Sequence, residues 1–448
     1  MSMQLYIIYN SITLDFQANG YKLMDGFYPE TPDEGMESIT DQFDILITGS
    51  SASDLRSKIT AVRLAFEHAS RHKEDALAAW LYYDVDSSGD AWMTKLLGGS
   101  VIYNDKLDRN WRQNKVVATI IVERKPYWDA KDELQVPLTN GNGTNDISGL
   151  TVYNHDDAGT SPAHDNWVEI AAADVLGDLP GPTRLEVLNT FNDVKKLGTL
   201  WIGQNWTDPA NFSHILEAED ASGGSDIGSA ACSGAYYSEY ALGSGSEVDM
   251  FTWTLSDSFL DACQGQYYKF LARFFIGDPP NVKFRIKLKY NAVTVWQSGQ
   301  VTLDQSRGLQ IRDMFTLRLP PWLPGQTNLS ALSMVLVGQQ STGSPINVDL
   351  DFLQVTPLDG WRMLECAGYG ISYTERLIDD GVNGYIYVDN GAGDNKIGDF
   401  AGYGNPIALY PGKKQRLYFL MHTTSMDVAE ILRTISVKLY YHPRRRTL

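Results

Sequence analysis

The 448-residue chain carries 37 Lys and Arg against 55 Asp and Glu, a formal charge of −18. A surface this acidic repels phosphate backbones and excludes nucleic-acid binding as the main activity, although an acidic channel wall lets DNA pass without adhering. The hydrophobic content of 43% is that of a globular protein, and 11% aromatics with 39 glycines favour strands and turns over helical bundles.

Three widely spaced cysteines (Cys232, Cys263, Cys366) form neither a disulfide framework nor a zinc pattern. The opening MSMQLYIIYNSITLDF lacks the basic-then-apolar order of a signal peptide, and no run of about 18 apolar residues is present to span a membrane.

In chain order, Leu5–Tyr9 and Ile12–Phe16 read as strands, and Phe43, Ile45 and Ile47 alternate as a half-buried strand does. Between them, residues 20–38 show neither period and read as an extended arm. Leu55, Ile59, Val62, Phe66 and Ala69 recur at steps of four and three, predicting a helix from Ser53 to about His72. Ser51 followed by Asp54 approximates a capping box at its start. Strands return at Ala78–Val85, Ser100–Tyr103 and Val116–Glu123, and Pro126 closes an α+β unit of 136 residues. Residues 138–165, rich in Gly, Asn, Asp and Thr, read as a linker around a short strand at Leu150–Tyr153.

From Asn205 to about Leu358, seven short strands at near-regular spacing predict a β-sandwich. Further strands follow Trp361, with one helical turn at Met426–Leu432. The fold class is therefore mainly β: a β domain with one packed helix, followed by β-sandwich domains.

Catalytic signatures are missing: no nucleophile elbow, no His-Glu-x-x-His, no phosphate-binding loop and no dinucleotide fingerprint. No catalytic residue is assigned, and the chain reads as non-enzymatic. Carboxylate pairs assembled in space need no local motif, so a glycosidase remains a rival. His155-Asp156-Asp157 and His164-Asp165 read as solvated turns. Asp84-Val-Asp86-Ser-Ser88-Gly89 matches the first half of a calcium loop, but Lys95 stands where the bidentate acid belongs, so it reads as a hairpin turn.

A second acidic pair is more suggestive. Glu217 and Glu219 open the sandwich segment, and Asp349 and Asp351 lie near its end; each pair projects to one side of a strand. First and last strands of a sandwich are often adjacent, and oxygens from two strands suit a hard cation such as calcium. The alternative is a solvated edge face. Tyr236, Tyr237, Tyr240, Trp253, Trp296, Trp322 and Trp361 are each core residues or sugar-stacking platforms. His442-Pro-Arg-Arg-Arg446 is a basic run on an acidic chain, either solvated or docked on an acidic surface.

The N-terminal order, with SASDLRSKITAVRLAFEHA followed by strands ending TIIVERKPYW, resembles the tail-tube-like domain of siphophage distal tail proteins. NPIALYPGKKQRLYFLM through SVKLYYHPRRRTL resembles the end of their galectin-like sandwich. HILEAEDASGG to VDLDFLQVTPLDGW resembles carbohydrate-binding modules that begin with a Glu-Ala-Glu strand and hold a structural calcium. That resemblance implies Glu217, Glu219 and Asp351 as calcium ligands.

It also implies a tail-tube-like domain at 1–136, a split sandwich at 137–205 and 360–448, and an inserted module at 206–359. The implied function is a distal tail or baseplate hub ring subunit of the virion, assembled in the host cytoplasm. Its expected partners are its own copies in a hexameric ring, the tail tube protein, tip or hub proteins, the tape measure protein and a host glycan, with DNA passing through the channel. The alternatives are a tail tube subunit forming stacked rings and a carbohydrate-binding or carbohydrate-active protein.

Overall fold

The computed structural model describes residues 3–73, 77–84, 91–103, 114–145, 148–157, 159–192, 196–206, 214–230, 232–263, 265–276, 282–302, 308–319, 332–391, 396–397, 400–423 and 433–448. Mainly β structure is built around three apolar cores.

The N-terminal unit is an antiparallel sheet in the order Ile12–Asp15, Gln4–Tyr9, Trp80–Asp84, Trp92–Tyr103, Lys115–Arg124, Ile39–Thr48, Tyr21–Leu23. Alternation puts Phe43, Ile45 and Ile47 on one face, and helix α1 (Ala52–Arg71) covers that face through Leu55, Ile59, Val62, Ala65, Phe66 and Ala69. The approach is close at Gly99, where a Cβ would lie 2.6 Å from the Phe66 ring and the Ile121 carbonyl. Ser51 caps the helix by accepting the Asp54 amide at 3.1 Å. The Asp54 carboxylate receives the Ser50 amide at 2.7 Å, one residue short of a full capping box.

Residues 24–38 leave the sheet as the arm, rooted by buried Phe27 among Phe43, Tyr83 and Trp128. Beneath it lies a fully buried ion pair, Arg124 with Asp41. The Asp41 carboxylate also accepts the Glu30 amide at 2.7 Å, and Arg124 donates to the Glu30 carbonyl at 3.1 Å.

A second unit is a sandwich. One sheet runs Gly143–Asn145, Leu138–Asn140, Trp167–Ile170, Gln415–Thr423, Leu197–Asn205, Trp361–Glu365, Ala401–Gly404. The other runs Leu150–Tyr153, Thr434–Tyr441, Gly181–Asn189, Arg376–Asp380, Tyr385–Asp389, Lys396–Ile397. Both mix strands from before residue 206 with strands from after residue 360.

Residues 138–165 are part of this sandwich rather than a linker. Leu138–Asn140 and Gly143–Asn145 form a hairpin. Asn154 is buried and bonds the Met421 backbone in both directions, at 2.8 and 2.7 Å. His155 and Asp165, read from sequence as solvated, are also buried. Polar composition misled here because Asn154 and Asp165 satisfy backbone groups inside the fold and His155 bonds the His164 ring.

The third unit, between residues 214 and 357, is another sandwich. Ser225–Gly228, Tyr236–Leu242, Ile346–Pro357, Tyr267–Ile276 and Gly308–Arg318 form one sheet; Ile215–Glu217 also pairs with Ile346–Pro357. Val248–Thr254, Leu332–Gln340, Val282–Tyr290 and Val293–Gln297 form the other, with a short helix α2 (Asp257–Cys263) alongside.

Strand Ile346–Pro357 is buried on both faces along most of its length. One face fills its own core and the other meets the split sandwich, where Ile215, Leu271, Ile311, Phe352 and Leu420 form a shared apolar cluster. Gly203 permits that meeting: a Cβ there would lie 2.7 Å from the Thr356 hydroxyl.

Residues 442–446 return to the N-terminal unit. Arg444–Arg445 pairs with Trp128–Ala130, and Arg444 makes two bonds to Asp129, at 2.6 and 3.0 Å. The basic run is thus docked at Arg444 on the chain's own acid.

Candidate metal site and assembly surfaces

Antiparallel pairing sets Glu217 opposite Phe352, and the Ala218 amide donates to the Asp351 carbonyl at 3.0 Å. Glu217, Glu219 and Asp351 therefore gather at the seam with the split sandwich. The turn Cys232–Tyr236 closes over them. Its Gly234 has φ +59°, and a Cβ there would sit 2.3 Å from Glu219 Oε1, so a larger residue would strain the turn and displace that carboxylate. The Ser233 amide donates to Asp351 Oδ1 at 3.0 Å.

Sequence reasoning missed Arg273. Fully buried, it donates from Nε to Asp351 Oδ2 at 2.6 Å, gives Nη1 to the Asn154 carbonyl, and stacks 4.4 Å from the Phe352 ring. A lone Arg inside the apolar strand YYKFLARFFI was the available signal, since such a charge is buried only with a partner. Asp349 does not join the cluster. It pairs across strands with Glu239, which accepts from Asn347 Nδ2 at 2.8 Å.

The electrostatics are those of crowded acids. Burial first, then Asp351 and Glu219, push the Glu217 carboxyl well above the ordinary range. Burial raises Glu219 to about 7, and burial opposed by Arg273 leaves Asp351 at about 6. Asp156 of the split sandwich is raised to about 7 by burial and then by Asp165.

Ser233 Oγ lies 2.7 Å from Glu217 Oε1 and 3.0 Å from the Asp156 carbonyl. The Asp156 carbonyl also accepts the Gly234 amide at 2.9 Å, which leaves the Ser233 hydroxyl free to donate to Glu217. Glu217 Oε2 and Glu219 Oε2 are buried with no hydrogen-bond partner.

Three carboxylates against one guanidinium leave two negative charges when all are ionised, which a divalent cation would neutralise. The all-oxygen donor set and the two orphaned oxygens fit a hard ion. Asp351 fits less well, because both of its oxygens already take donors from Ser233 and Arg273. Among the described residues no three His, Cys, Asp or Glu side chains converge as a metal-holding group. An ion bound by Glu217 and Glu219 would complete its shell with backbone carbonyls and water.

Nearby, His214 stacks 3.9 Å from Tyr418 and sits 2.9 Å from Asn166 Oδ1; burial drives its pKa down to about 3, so the ring is neutral. The Cys232 thiol is pushed up to about 12 by burial, which leaves it unreactive. Trp253 belongs to the core, with its Nε1 donating to the Glu217 carbonyl at 2.6 Å. Tyr236 is exposed, Trp296 and Tyr240 pack partly buried on the core, and Trp361 lies 4.3 Å beneath Lys269. Trp322, residues 85–90 of the calcium-like string and Met426–Leu432 lie outside the described residues.

On the N-terminal unit, strands Ile12–Asp15 and Tyr21–Leu23 are the two ends of the sheet. The arm exposes large apolar side chains, with Tyr28 at 81% and Met36 at 44%. The sheet face away from α1 carries the stacked pair Tyr6–Tyr82, centroids 4.9 Å apart.

No family model and no curated protein matches the chain. Among solved structures, it is similar to a chain of the phage P2 baseplate in its activated conformation with Ca, at 10% identity over 46% of this chain and 73% of that one, TM-score 0.26. An exo-β-1,3-galactanase from Phanerochaete chrysosporium is similar at 12% identity over 62% and 78%, TM-score 0.21. A structure of infectious bursal disease virus is similar at 8% identity over 70% and 80%, TM-score 0.19. Each is a distant likeness of β architecture.

Proposed function

We infer that the chain is a structural subunit of a phage tail: a distal tail or baseplate hub ring subunit that joins the tail tube to the tip. The observation that carries this reading is the N-terminal unit. It combines an antiparallel sheet, one covering helix, two sheet edges that no strand covers among the described residues, and an arm that holds exposed apolar side chains away from its own core. Free edges and an unsheltered arm suit a heterologous contact repeated around a closed ring.

Its work is interface complementarity rather than bond chemistry. A hexameric ring would surround the DNA channel, and the chain's excess of acid keeps the passing DNA from adhering. Tail tube, tip and tape measure proteins are the partners this position implies. The inserted sandwich, clamped to its host by the shared apolar cluster and by the Arg273 bond to the Asn154 carbonyl, projects as a fixed module. Calcium held by Glu217 and Glu219 would stabilise its seam, and a weak affinity for host glycan would be multiplied by the ring.

Negative-stain electron microscopy of the purified protein, with its mass by light scattering, tests the reading. Single closed rings with a central channel are expected. Stacked rings would move the assignment to the tube, and a monomer at every concentration would overturn it.

A further inference from the structure

Between α1 and strand Trp92–Tyr103 runs a groove of about 420 Å³. Phe66 and Val101 form its apolar floor, and Arg63 and Arg71 stand on its rim. Glu67 lies 3.6 Å from Arg71 and offsets one of the two cations, leaving the rim positive on a chain whose net charge is −18. Both Arg71 and Glu67 project into solvent, at 74% and 59% exposure, so this pair spends little to rearrange.

The same unit displays the complementary shape. Residues 30–37 of the arm, Glu-Thr-Pro-Asp-Glu-Gly-Met-Glu, hold four acids and no base. The arm's root is fixed by the Glu30 bonds to Asp41 and Arg124, so the tip is presented rather than loose. Its turn is tight: the Met36 amide approaches the Asp33 carbonyl at 3.5 Å, and Gly35 takes φ +83° with open space around it. The result is one flexible thioether between acids at 33, 34 and 37, all facing solvent. An unbranched Met fills an irregular apolar groove well and makes favourable contacts with an aromatic edge.

We propose that the arm tip of one copy docks in the α1 groove of the next, with Met36 on the Phe66–Val101 floor and Glu34 and Glu37 against Arg63 and Arg71. The occupant is a second copy of this chain. The charge complementarity of tip and rim selects it, and the exposure of Met36 leaves it free to be covered by that copy. Tip and groove are different surfaces, so the contact is head-to-tail and closes into a ring when the rotation permits. This inference rests on the ring reading and specifies its contact.

The test uses the full chain and three charge-reversed forms: E34K/E37K at the tip, R63E/R71E at the groove, and all four together. Mass is followed by light scattering over a concentration series at low and high salt, with circular dichroism as a check on folding. Each tip or groove variant alone should associate at least about tenfold more weakly than the parent, because two exposed attractions become repulsions. The fourfold variant should recover association, and so should an equimolar mixture of the two separate variants. Recovery in the mixture marks a contact between chains, since a contact within one chain would be restored only by the fourfold variant. Assembly unaffected by either reversal would overturn the docking and leave the ring standing. A parent chain that never associates would overturn both.

Discussion

Arg273→Met isolates what the buried guanidinium does at the seam. The substitution keeps an apolar stem but removes the Nε bond to Asp351, the Nη1 bond to the Asn154 carbonyl and the stacking on Phe352. Asp351 is then left, fully buried, with the Ser233 amide as its remaining donor among these bonds, beside Glu217 and Glu219. Removing one partner of such a pair costs about 3–5 kcal/mol, most of it the stranded charge. Arg273→Met combined with Asp351→Leu removes that charge as well and should recover at least half of the loss. The chain has several cores, so a single unfolding midpoint would blur the effect. Hydrogen exchange in strand Ile346–Pro357, at pH 7.5 with chelator present, reads the seam directly. A loss of about 3–5 kcal/mol corresponds to protection lowered by roughly two to three and a half orders of magnitude. Protection within about threefold of the parent in the single variant would refute the argument. So would a double variant no better than the single one.

Three further outcomes follow from the same geometry. Asp156 and Glu219 hold protons more tightly folded than unfolded, both raised to about 7, so their contribution is complete below the ordinary carboxyl range and is lost as pH rises through about 7. Thermal melting in chelator should therefore weaken from pH 5 to pH 8, and calcium should raise the midpoint more at pH 8, where the acids are ionised; no calcium effect at pH 8 would count against the metal site. Gly234→Ala forces a Cβ against Glu219 at positive φ and should cost about 1–2 kcal/mol while abolishing any calcium-induced shift in melting. Arg444→Ala removes both bonds to Asp129 and the stacking on Tyr127 at 3.6 Å, so limited proteolysis should open the junction between the N-terminal unit and the split sandwich faster than in the parent.

Helix α1 was legible because its stripe is long: six buried positions on one face over 20 residues. Helix α2 escaped because seven residues make fewer than two turns, too few to establish a period. Only the end of strand Trp92–Tyr103 stood out, since its middle, Leu96-Leu97-Gly98-Gly99, breaks alternation at a register shift opposite Glu123 and Arg124. Strand spacing singled out Glu217, Glu219, Asp349 and Asp351; of these the structure places the first two beside Asp351 and leaves Asp349 opposite Glu239. Arg273 was missed, because its partner Asp351 stands 78 residues on and only the apolar strand around it hinted at burial. Asn154, His155, Asp165 and Asn166 defeat composition altogether: they look like loop residues and are buried.

The strand order of the split sandwich bears on how the chain is made. Gln415–Thr423 lies between Trp167–Ile170 and Leu197–Asn205, and Thr434–Tyr441 lies between Leu150–Tyr153 and Gly181–Asn189. An interior strand of each sheet is thus synthesised after the inserted sandwich, while the strands it must join wait with bare edges. A ribosome would deliver a finished guest before its host could close. A chain stopped before residue 415 would carry two half-sheets with sticky edges, one stopped before residue 434 would still leave the second open, and both would lack the Arg444 latch on the N-terminal unit. Closure of that latch requires synthesis through Arg444, so a latched unit already holds every strand of the split sandwich.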